Sequence, residues 1–329
     1  MNKLKKSFTW ETSLVIMLVL EILIFGMINP RFLDFHVLIF SINDFIAISI
    51  VSLFVTFVII TGGIDISDGS IIGLVSIVIG VTWKMGGVNI WLTIPIALLV
   101  GALCGALNGF LVAYANVQAM VVTLGGMILY SGLSLVVMGL SGASAFEGIS
   151  GMPESFVNLA NGSVLNIPNP VIILIVLIIL AYILLNKTKY GRAVFLVGIN
   201  KNTARYSGIN TKLVTMSTYI LSGTGAAIAG IILTSYLGSS RPDLGADTTM
   251  PIITAVVLGG TAITGGKGSV LGTALAAIIV GLLKFGLQMV GVSTQYVSVA
   301  IGLLLIVAIA MRSIDFKNLP KLKKSIKAK

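Results

Sequence analysis

Ten long apolar stretches, separated by short polar connections, constrain what this chain of 329 residues can fold into. They cover residues 14–28, 45–61, 70–83, 91–114, 117–140, 170–185, 213–237, 250–263, 270–290 and 296–311. A helix needs about 20 mostly apolar residues to cross a hydrocarbon layer of about 30 Å, and the third and eighth stretches are short for that purpose. The pattern predicts an all-α, polytopic membrane protein with about ten transmembrane helices. Residues 1–329 are predicted to form a single transmembrane domain.

The composition excludes most classes of soluble protein. Apolar residues make up 57% of the chain and charged residues only 10%, whereas soluble domains carry about 25% charged residues. So few charges cannot cover the surface of a water-soluble protein of this size, which argues against soluble enzymes and disordered chains. The 37 glycines fit a membrane bundle, because small residues let transmembrane helices approach closely.

The positions of the cations indicate which ends of the predicted helices face the cytoplasm. Sixteen of the 21 Lys and Arg residues fall into three groups. The groups are Lys3, Lys5 and Lys6; Lys187, Lys189, Arg192, Lys201, Arg205 and Lys212; and Arg312, Lys317, Lys321, Lys323, Lys324, Lys327 and Lys329. Because the groups flank apolar stretches, they follow the positive-inside rule and do not form a nucleic-acid-binding stripe. Six crossings and then four more place all three groups, and both termini, on the cytoplasmic side of the inner membrane.

Two Gly-rich segments interrupt the apolar stretches in a similar way. The first, residues 62–67, reads Gly-Gly-Ile-Asp-Ile-Ser, and the second, residues 259–269, begins with Gly-Gly. Each follows an apolar run and leads to a Gly-Ser pair with another Gly three residues beyond the Ser. The similarity predicts two diverged internal repeats, which are typical of transporters built from two related halves.

Irregular backbone within a membrane is tolerated only where it is buried in protein or lines a cavity. One interpretation therefore places both Gly-rich segments beside a translocation path. Its candidate residues are Gly62, Gly63, Asp65, Ser67, Gly259 and Gly260. In the other interpretation the segments are tight turns at the cytoplasmic surface, where an Asp is readily solvated. The sequence leaves both interpretations open.

The basic stretch before the seventh apolar segment contains the pattern of a short capped helix. Asn200 is a favourable N-cap and Gly208 a favourable stop, with room for about two turns between them. Ala204 and Ser207 would share one face, while Arg205 and Tyr206 would project from others. Such a helix, lying along the membrane, fits a groove on a cytoplasmic partner. The alternative is a capped linker whose charges serve only to set the topology.

The chain lacks the motif of an ATPase. The Gly266-Lys267 pair does not complete a Walker A motif, because position 261 is Thr and Gly268 stands where Ser or Thr is required. We therefore predict no catalytic residue, no metal and no cofactor. Glu21, Asp65 and Lys284 lie in or near apolar stretches, where ionisable groups are rare. They leave open a second hypothesis, a carrier that works alone on an ion gradient.

Several segments together resemble the permease subunits of ABC importers of the ribose type. They are residues 62–67, 198–210 and 255–269, which occur here in the order found in that family. Further segments at 44–46, 142–149, 235–246 and 286–292 are similar to the D-type permeases of autoinducer-2 importers. Asp68 departs from the family pattern, in which a small or apolar residue is common, so the resemblance assigns it no role.

The resemblance implies an assembly in which this chain is a permease and not an enzyme. Two ATP-binding subunits would dock on the cytoplasmic side, a second and related permease would enclose the path, and a soluble binding protein would deliver the ligand. The helix between Asn200 and Gly208 would be the coupling helix. Its ATPase-facing residues would be Asn200, Ala204, Arg205, Tyr206, Ser207 and Gly208. The cargo would be autoinducer-2, a small polyhydroxylated compound, or alternatively ribose or another monosaccharide.

Overall fold

The computed structural model describes residues 10–142 and 148–313, with side chains up to residue 307. Its helices are α1 (Trp10–Ile28), α2 (Phe35–Ile60), α3 (Asp68–Lys84), α4 (Ile90–Ala113), α5 (Ala119–Leu140), α6 (Glu154–Asn161), α7 (Asn169–Lys187), α8 (Lys189–Ile199), α9 (Lys201–Tyr206), α10 (Thr211–Leu237), α11 (Thr249–Leu258), α12 (Val270–Met289) and α13 (Thr294–Ser313). Strands β1 (Ile149–Ser150) and β4 (Ser239–Ser240) pair antiparallel, as do β2 (Ser163–Val164) and β3 (Ile167–Pro168). The first group of lysines and those after Arg312 lie outside the described residues.

Seven helices of the described part are long and apolar enough to cross a membrane: α1, α2, α4, α5, α7, α10 and α12. Three further predicted spans correspond to α3, α11 and α13, of which fewer than 18 residues each are fully described. Helix α3 has 17 residues, α11 has 10, and α13 is apolar over its described part. The prediction of an all-α, polytopic membrane protein is confirmed, whereas the number of crossings stays a prediction.

Helix α2 lies at the centre of the bundle. Every residue from Phe45 to Ile60 is buried, as expected for a helix that contacts protein on all sides. The helix kinks at Phe45, where φ is −126° and ψ is 17°. The Phe45 ring lies against Gly281 of α12, where a side chain would overlap with it. Thr56 Oγ1 lies 3.0 Å from Thr273 Oγ1, so α2 and α12 are joined at two levels.

Helices α4 and α10 pack antiparallel along a row of glycines. Gly101 lies against Gly223, and Gly105 lies against the carbonyl group of Tyr219. Gly109 continues the row one turn further along α4. Small residues at every fourth position, which the sequence shows here, let two transmembrane helices approach to backbone contact. This pair is therefore a closely packed unit within the bundle.

Helix α6 covers the end of the bundle at which α10 finishes. The Ser235 hydroxyl donates to the carbonyl oxygen of Phe156 at 2.6 Å and accepts from the Ala160 backbone N–H at 3.0 Å. Phe156 and Ala160 are fully buried. The sequence from Pro153 predicts a short surface helix with Phe156, Leu159 and Ala160 on one side, and α6 confirms the helix.

Replacing Gly105 with Val is expected to destabilise the bundle. The new side chain would overlap with the Tyr219 carbonyl and push α4 away from α10, and overpacking of this kind costs about 1–3 kcal/mol. Thermal unfolding of the purified chain in detergent measures the loss. Gly139→Val on α5 is the matched control, because nothing lies within 4 Å of the Cβ it would gain. An equal loss in both variants would contradict the interpretation.

Candidate functional site

Helix α3 begins in the middle of the bundle and not at its surface. The Ser222 hydroxyl donates to Asp68 Oδ1 at 2.8 Å. Ser222 lies near the centre of α10, a helix of 27 residues that is about 40 Å long at 1.5 Å per residue. Residues 61–67 therefore carry the chain from the end of α2 back into the bundle in a non-helical form.

Helix α11 begins beside the start of α3. After β4 the chain follows α3 inward, so that Pro242 contacts Gly73 and Gly245 contacts Gly69. From this point the two helices run to opposite ends of the bundle. Helix α3 leads towards β4, and α11 leads towards α1, where Trp10 Nε1 donates to the Leu258 carbonyl oxygen at 2.7 Å. The order of long helix, non-helical segment and short helix thus occurs twice, in opposite directions.

A continuous groove passes the point at which α3 and α11 begin. It consists of three cavities of about 450, 340 and 240 Å³. Ala246 lines all three, while Met127 and Ser131 of α5 each line two. The side chain of Ile128, next to Met127, is 71% exposed. In the single chain the α5 side of the groove is therefore uncovered.

Hydroxyl groups collect where the groove meets both short helices. Ser70 Oγ and Ser131 Oγ lie 2.9 Å apart, and Thr249 lines the same cavity. The largest cavity continues between α11, α12 and α13, where Asp247 and Lys284 stand among mainly apolar residues. A molecule in the groove would meet mainly hydroxyl groups at one end, where Asp243 is paired with Arg241, and Asp247 and Lys284 at the other.

A buried hydrogen-bond network supports the first Gly-rich segment beneath the groove. Asp65 Oδ1 accepts from the Ser67 backbone N–H at 3.0 Å and from the Ser67 hydroxyl at 2.7 Å. Asn108 Nδ2 of α4 donates to Ser67 Oγ, and Tyr130 OH of α5 donates to Asn108 Oδ1, both at 2.9 Å. The network ties the segment to α4 and α5 and thereby fixes where α3 begins.

The six predicted path residues lie beside or below the groove and are not among the residues that line it. Asp65 and Ser67 are buried, but Ile66 between them lines the largest cavity. Gly62 and Gly260 have φ values of +81° and +103°, which Gly adopts without strain. Gly63 packs under the Tyr219 hydroxyl, and Gly259 packs against the start of α12.

Helix α9 has the caps that its sequence predicts. Asn200 Oδ1 accepts from the backbone N–H groups of Asn202 and Thr203, both at 3.0 Å. Gly208 has a φ of +81° and donates its N–H to the Arg205 carbonyl oxygen at 3.0 Å. The sequence predicts that Ala204 and Ser207 share one face of the helix, but the two differ in exposure. Ala204 is buried against the protein, while Ser207 is exposed. The side chain of Tyr206 is 91% exposed.

A family profile described as "Branched-chain amino acid transport system / permease component" matches residues 37–309. The chain belongs to this permease family. Among curated relatives of the permease are proteins named "Autoinducer 2 import system permease protein LsrD". The protein from Yersinia enterocolitica serotype O:8 / biotype 1B is 49% identical over 310 residues, which cover 94% of this chain and 93% of that protein. No solved structure gives a significant match.

Two further relatives of the same name give similar values. The protein from Enterobacter sp. (strain 638) is 48% identical over 306 residues, covering 93% of each chain. The protein from Salmonella paratyphi B (strain ATCC BAA-1250 / SPB7) is 48% identical over 310 residues, covering 94% of this chain and 93% of its own. Similarity of this extent shows a permease component, a membrane subunit and not an enzyme.

The ionisable residues of the permease that raised the carrier hypothesis do not form one cluster. Glu21 is buried in α1, and neither of its carboxylate oxygens has a hydrogen-bond partner among the described residues. Lys284 lines the groove, whereas Asp65 lies in the buried network beneath it. Among the described residues the one ion pair is Arg241 with Asp243, at 2.7 Å, and it is exposed in the loop after β4. Asp243 raises the pKa of the Arg241 guanidinium through its hydrogen bond and its charge.

Sequence reasoning did not single out Ser70, Ser131 and Thr249 as lining a common cavity. Ser131 lies within the apolar stretch 117–140, and Thr249 stands immediately before the apolar stretch 250–263. The spacing of Ser131 and Ser134 by three residues marks a polar edge on α5, but that edge does not identify what it faces. Only the meeting of α3, α5 and α11 makes these hydroxyls neighbours.

Proposed function

We propose that this chain is the permease subunit of an ABC importer for autoinducer-2. The observation that carries the proposal is 48–49% identity, over 93–94% of both chains, to proteins named as autoinducer-2 import permeases. The family profile is described for branched-chain amino acid transport, so membership of the family alone does not identify the cargo. Energy comes from a separate ATPase, and residues 1–329 act as a single transmembrane permease domain.

The groove is the part of the path that this chain contributes. Ser70, Ser131 and Thr249 offer hydrogen bonds without charge, which suits a small polyhydroxylated cargo. The exposed side of α5 is covered by a second, related permease subunit, so that the path lies between the two chains. The first Gly-rich segment flanks this path through Ile66, with Gly62, Gly63, Asp65 and Ser67 behind it. Gly259 and Gly260 hold the far end of α11.

Helix α9 is the coupling helix of this permease. It lies within the basic stretch 187–212, which the positive-inside rule assigns to the cytoplasm together with both termini. Arg205, Tyr206 and Ser207 face the ATP-binding subunit, while Asn200, Ala204 and Gly208 fix the shape and seating of the helix. Two ATP-binding subunits serve the two permeases, and their closure on ATP moves the two coupling helices. A soluble binding protein docks at the opposite end, where β1, β4 and α6 lie.

Uptake by the complete importer tests the function. We expect ATP-dependent uptake of labelled autoinducer-2 by proteoliposomes that contain both permeases, the ATP-binding subunits and the binding protein. A tenfold excess of unlabelled ribose should leave that uptake unchanged. Uptake of ribose in place of autoinducer-2 would support the monosaccharide alternative. Uptake by this chain alone on an ion gradient, without ATP, would support the carrier hypothesis and contradict the proposal.

Replacing Ser131 with Leu is expected to block the path without weakening the bundle. Ser131 is exposed in the groove, so the larger side chain enters open space and removes the hydroxyl beside Ser70. Loss of a contact that the cargo makes during transport, worth about 1.4 kcal/mol or more, corresponds to a tenfold slower uptake. Ser163→Leu in the exposed strand β2 is the matched control. Unchanged uptake in Ser131→Leu would remove the groove from the path.

Replacing Tyr206 with Ala is expected to release the ATP-binding subunits. The side chain is 91% exposed, so its truncation costs the isolated chain little stability. An aromatic anchor buried in a partner contributes about 2 kcal/mol or more, which corresponds to roughly thirtyfold weaker association. Co-purification of the ATP-binding subunit measures the loss. Leu165→Ala, equally exposed in the β2–β3 turn, serves as control. Wild-type association of the Tyr206 variant would exclude α9 as the main docking element.

A further inference from the structure

The two Gly-rich segments, far apart in sequence, touch each other directly below the end of α2. The Gly266 backbone N–H donates to the Ile60 carbonyl oxygen at 2.8 Å. Gly265 lies against the backbone of Gly62, so that a Cβ on Gly265 would come within 3.0 Å of the Gly62 nitrogen. The two segments therefore form one junction, and neither can move far without displacing the other.

The chain immediately before the coupling helix is wedged into this junction. Gly198, at the end of α8, lies so close to the Ile60 carbonyl and the Gly266 nitrogen that any side chain would overlap with both. Ile199 lies against Gly266, and a Cβ there would come within 2.8 Å of Ile199 Cγ1. Asn200, the next residue, is the N-cap of α9. Only Ile199 therefore lies between Gly198, which is packed in the junction, and Asn200, the N-cap of α9.

From the junction, each Gly-rich segment leads to one side of the groove. The first continues through Ile66, which lines the groove, to the start of α3 with Ser70. The second follows α11, whose other end begins in the groove at Thr249. Since α11 is a stiff helix of 10 residues, about 15 Å long, a displacement at its end is carried to its start.

Helix α8 connects the bundle to the junction, and we call it the arm. Tyr190 OH lies 2.9 Å from Ser217 Oγ of α10, and Gly191 is packed against the Leu185 carbonyl at the end of α7. The arm is thus held by the stiff part of the bundle at its start and by the junction at its end. Movement of α9 is expected to bend the arm at Gly198, which contacts Ile60 at the end of α2 and Gly265 and Gly266 of the second Gly-rich segment.

We infer that Gly198 and Ile199 transmit the movement of the coupling helix to both short helices at once, through their contact with Ile60 and Gly266. The inference rests on the coupling role proposed above for α9. Both residues are positioning residues, since they touch the segments that line the path and do not touch the cargo. Position 198 requires glycine because the end of α8, the end of α2 and the second Gly-rich segment are in backbone contact there.

Ile199→Ala tests the transmission with little risk to folding. The side chain is 68% exposed, so truncation removes the side-chain part of the contact to Gly266, keeps the backbone part and changes few other contacts. Mutations in coupling networks alter the coupling several-fold, so stimulation of the ATPase by loaded binding protein should fall roughly threefold or more. Basal ATPase activity and co-purification of the ATP-binding subunit should stay at wild-type values. Ile179→Ala on α7, with a side chain 51% exposed, is the matched control.

Gly198→Ala is the stronger form of the same change: its Cβ would overlap with the backbone of Ile60 and Gly266, so it should lower stimulation and uptake further and also lower the thermal stability of the chain. Wild-type stimulation in the Ile199 variant would overturn the inference. So would a parallel loss of association, because Ile199 would then be a docking contact of the ATP-binding subunit. Failure of the proposed function gives a different result, since the wild-type complex itself would then show neither stimulation nor uptake.

Discussion

In hydrocarbon, every backbone N–H and C=O group must find its partner within the protein, and this requirement determines how the chain is built around its groove. The helices meet it by themselves, but residues 61–67 do not. There the Ile64 carbonyl accepts from Thr123 of α5 at 3.3 Å and from Tyr219 of α10 at 3.4 Å. Asp65 Oδ1 accepts a hydrogen bond from the Ser67 backbone N–H. Side chains from neighbouring helices thus replace the missing helical hydrogen bonds, so the segment can stay non-helical only where α5 and α10 surround it.

The same requirement separates the chain into stiff and hinged parts. Helices α4 and α10 are in backbone contact along their glycines, and α2 is buried on all sides. Interiors packed at such density have low compressibility, so the packed helices are expected to move as units. The starts of α3 and α11 are also in backbone contact, at Gly69 and Gly245, but each of these helices is joined to the rest of the chain by non-helical segments. Movement at the groove is therefore expected to occur in these segments, with α4 and α10 as the fixed frame.

How far the sequence predicted this structure depends on the range of the interactions. The caps of α9 at Asn200 and Gly208 are local, since donor and acceptor lie within a few residues, and they were predicted correctly. The long apolar helices follow from hydropathy alone. The contact of Gly62 with Gly265 joins residues about 200 positions apart, and no periodicity encodes it. Asp68 had no role assignable from its neighbours, and only the structure supplies its partner, Ser222. The lining of the groove was missed for the same reason.

The absence of a buried ion pair among the described residues agrees with a subunit that another protein moves. A buried ion pair is costly to break, because separation leaves a charge without a partner in a medium of low dielectric constant. Among the described residues the one ion pair, Arg241 with Asp243, is exposed, and exposed pairs contribute about 0–1 kcal/mol. Of the residues that line the groove, only Asp243 belongs to an ion pair, and the hydrogen bond between Ser70 and Ser131 is neutral. Under the proposed coupling, a movement that starts at α9 would therefore rearrange the groove without breaking a buried ion pair among the described residues.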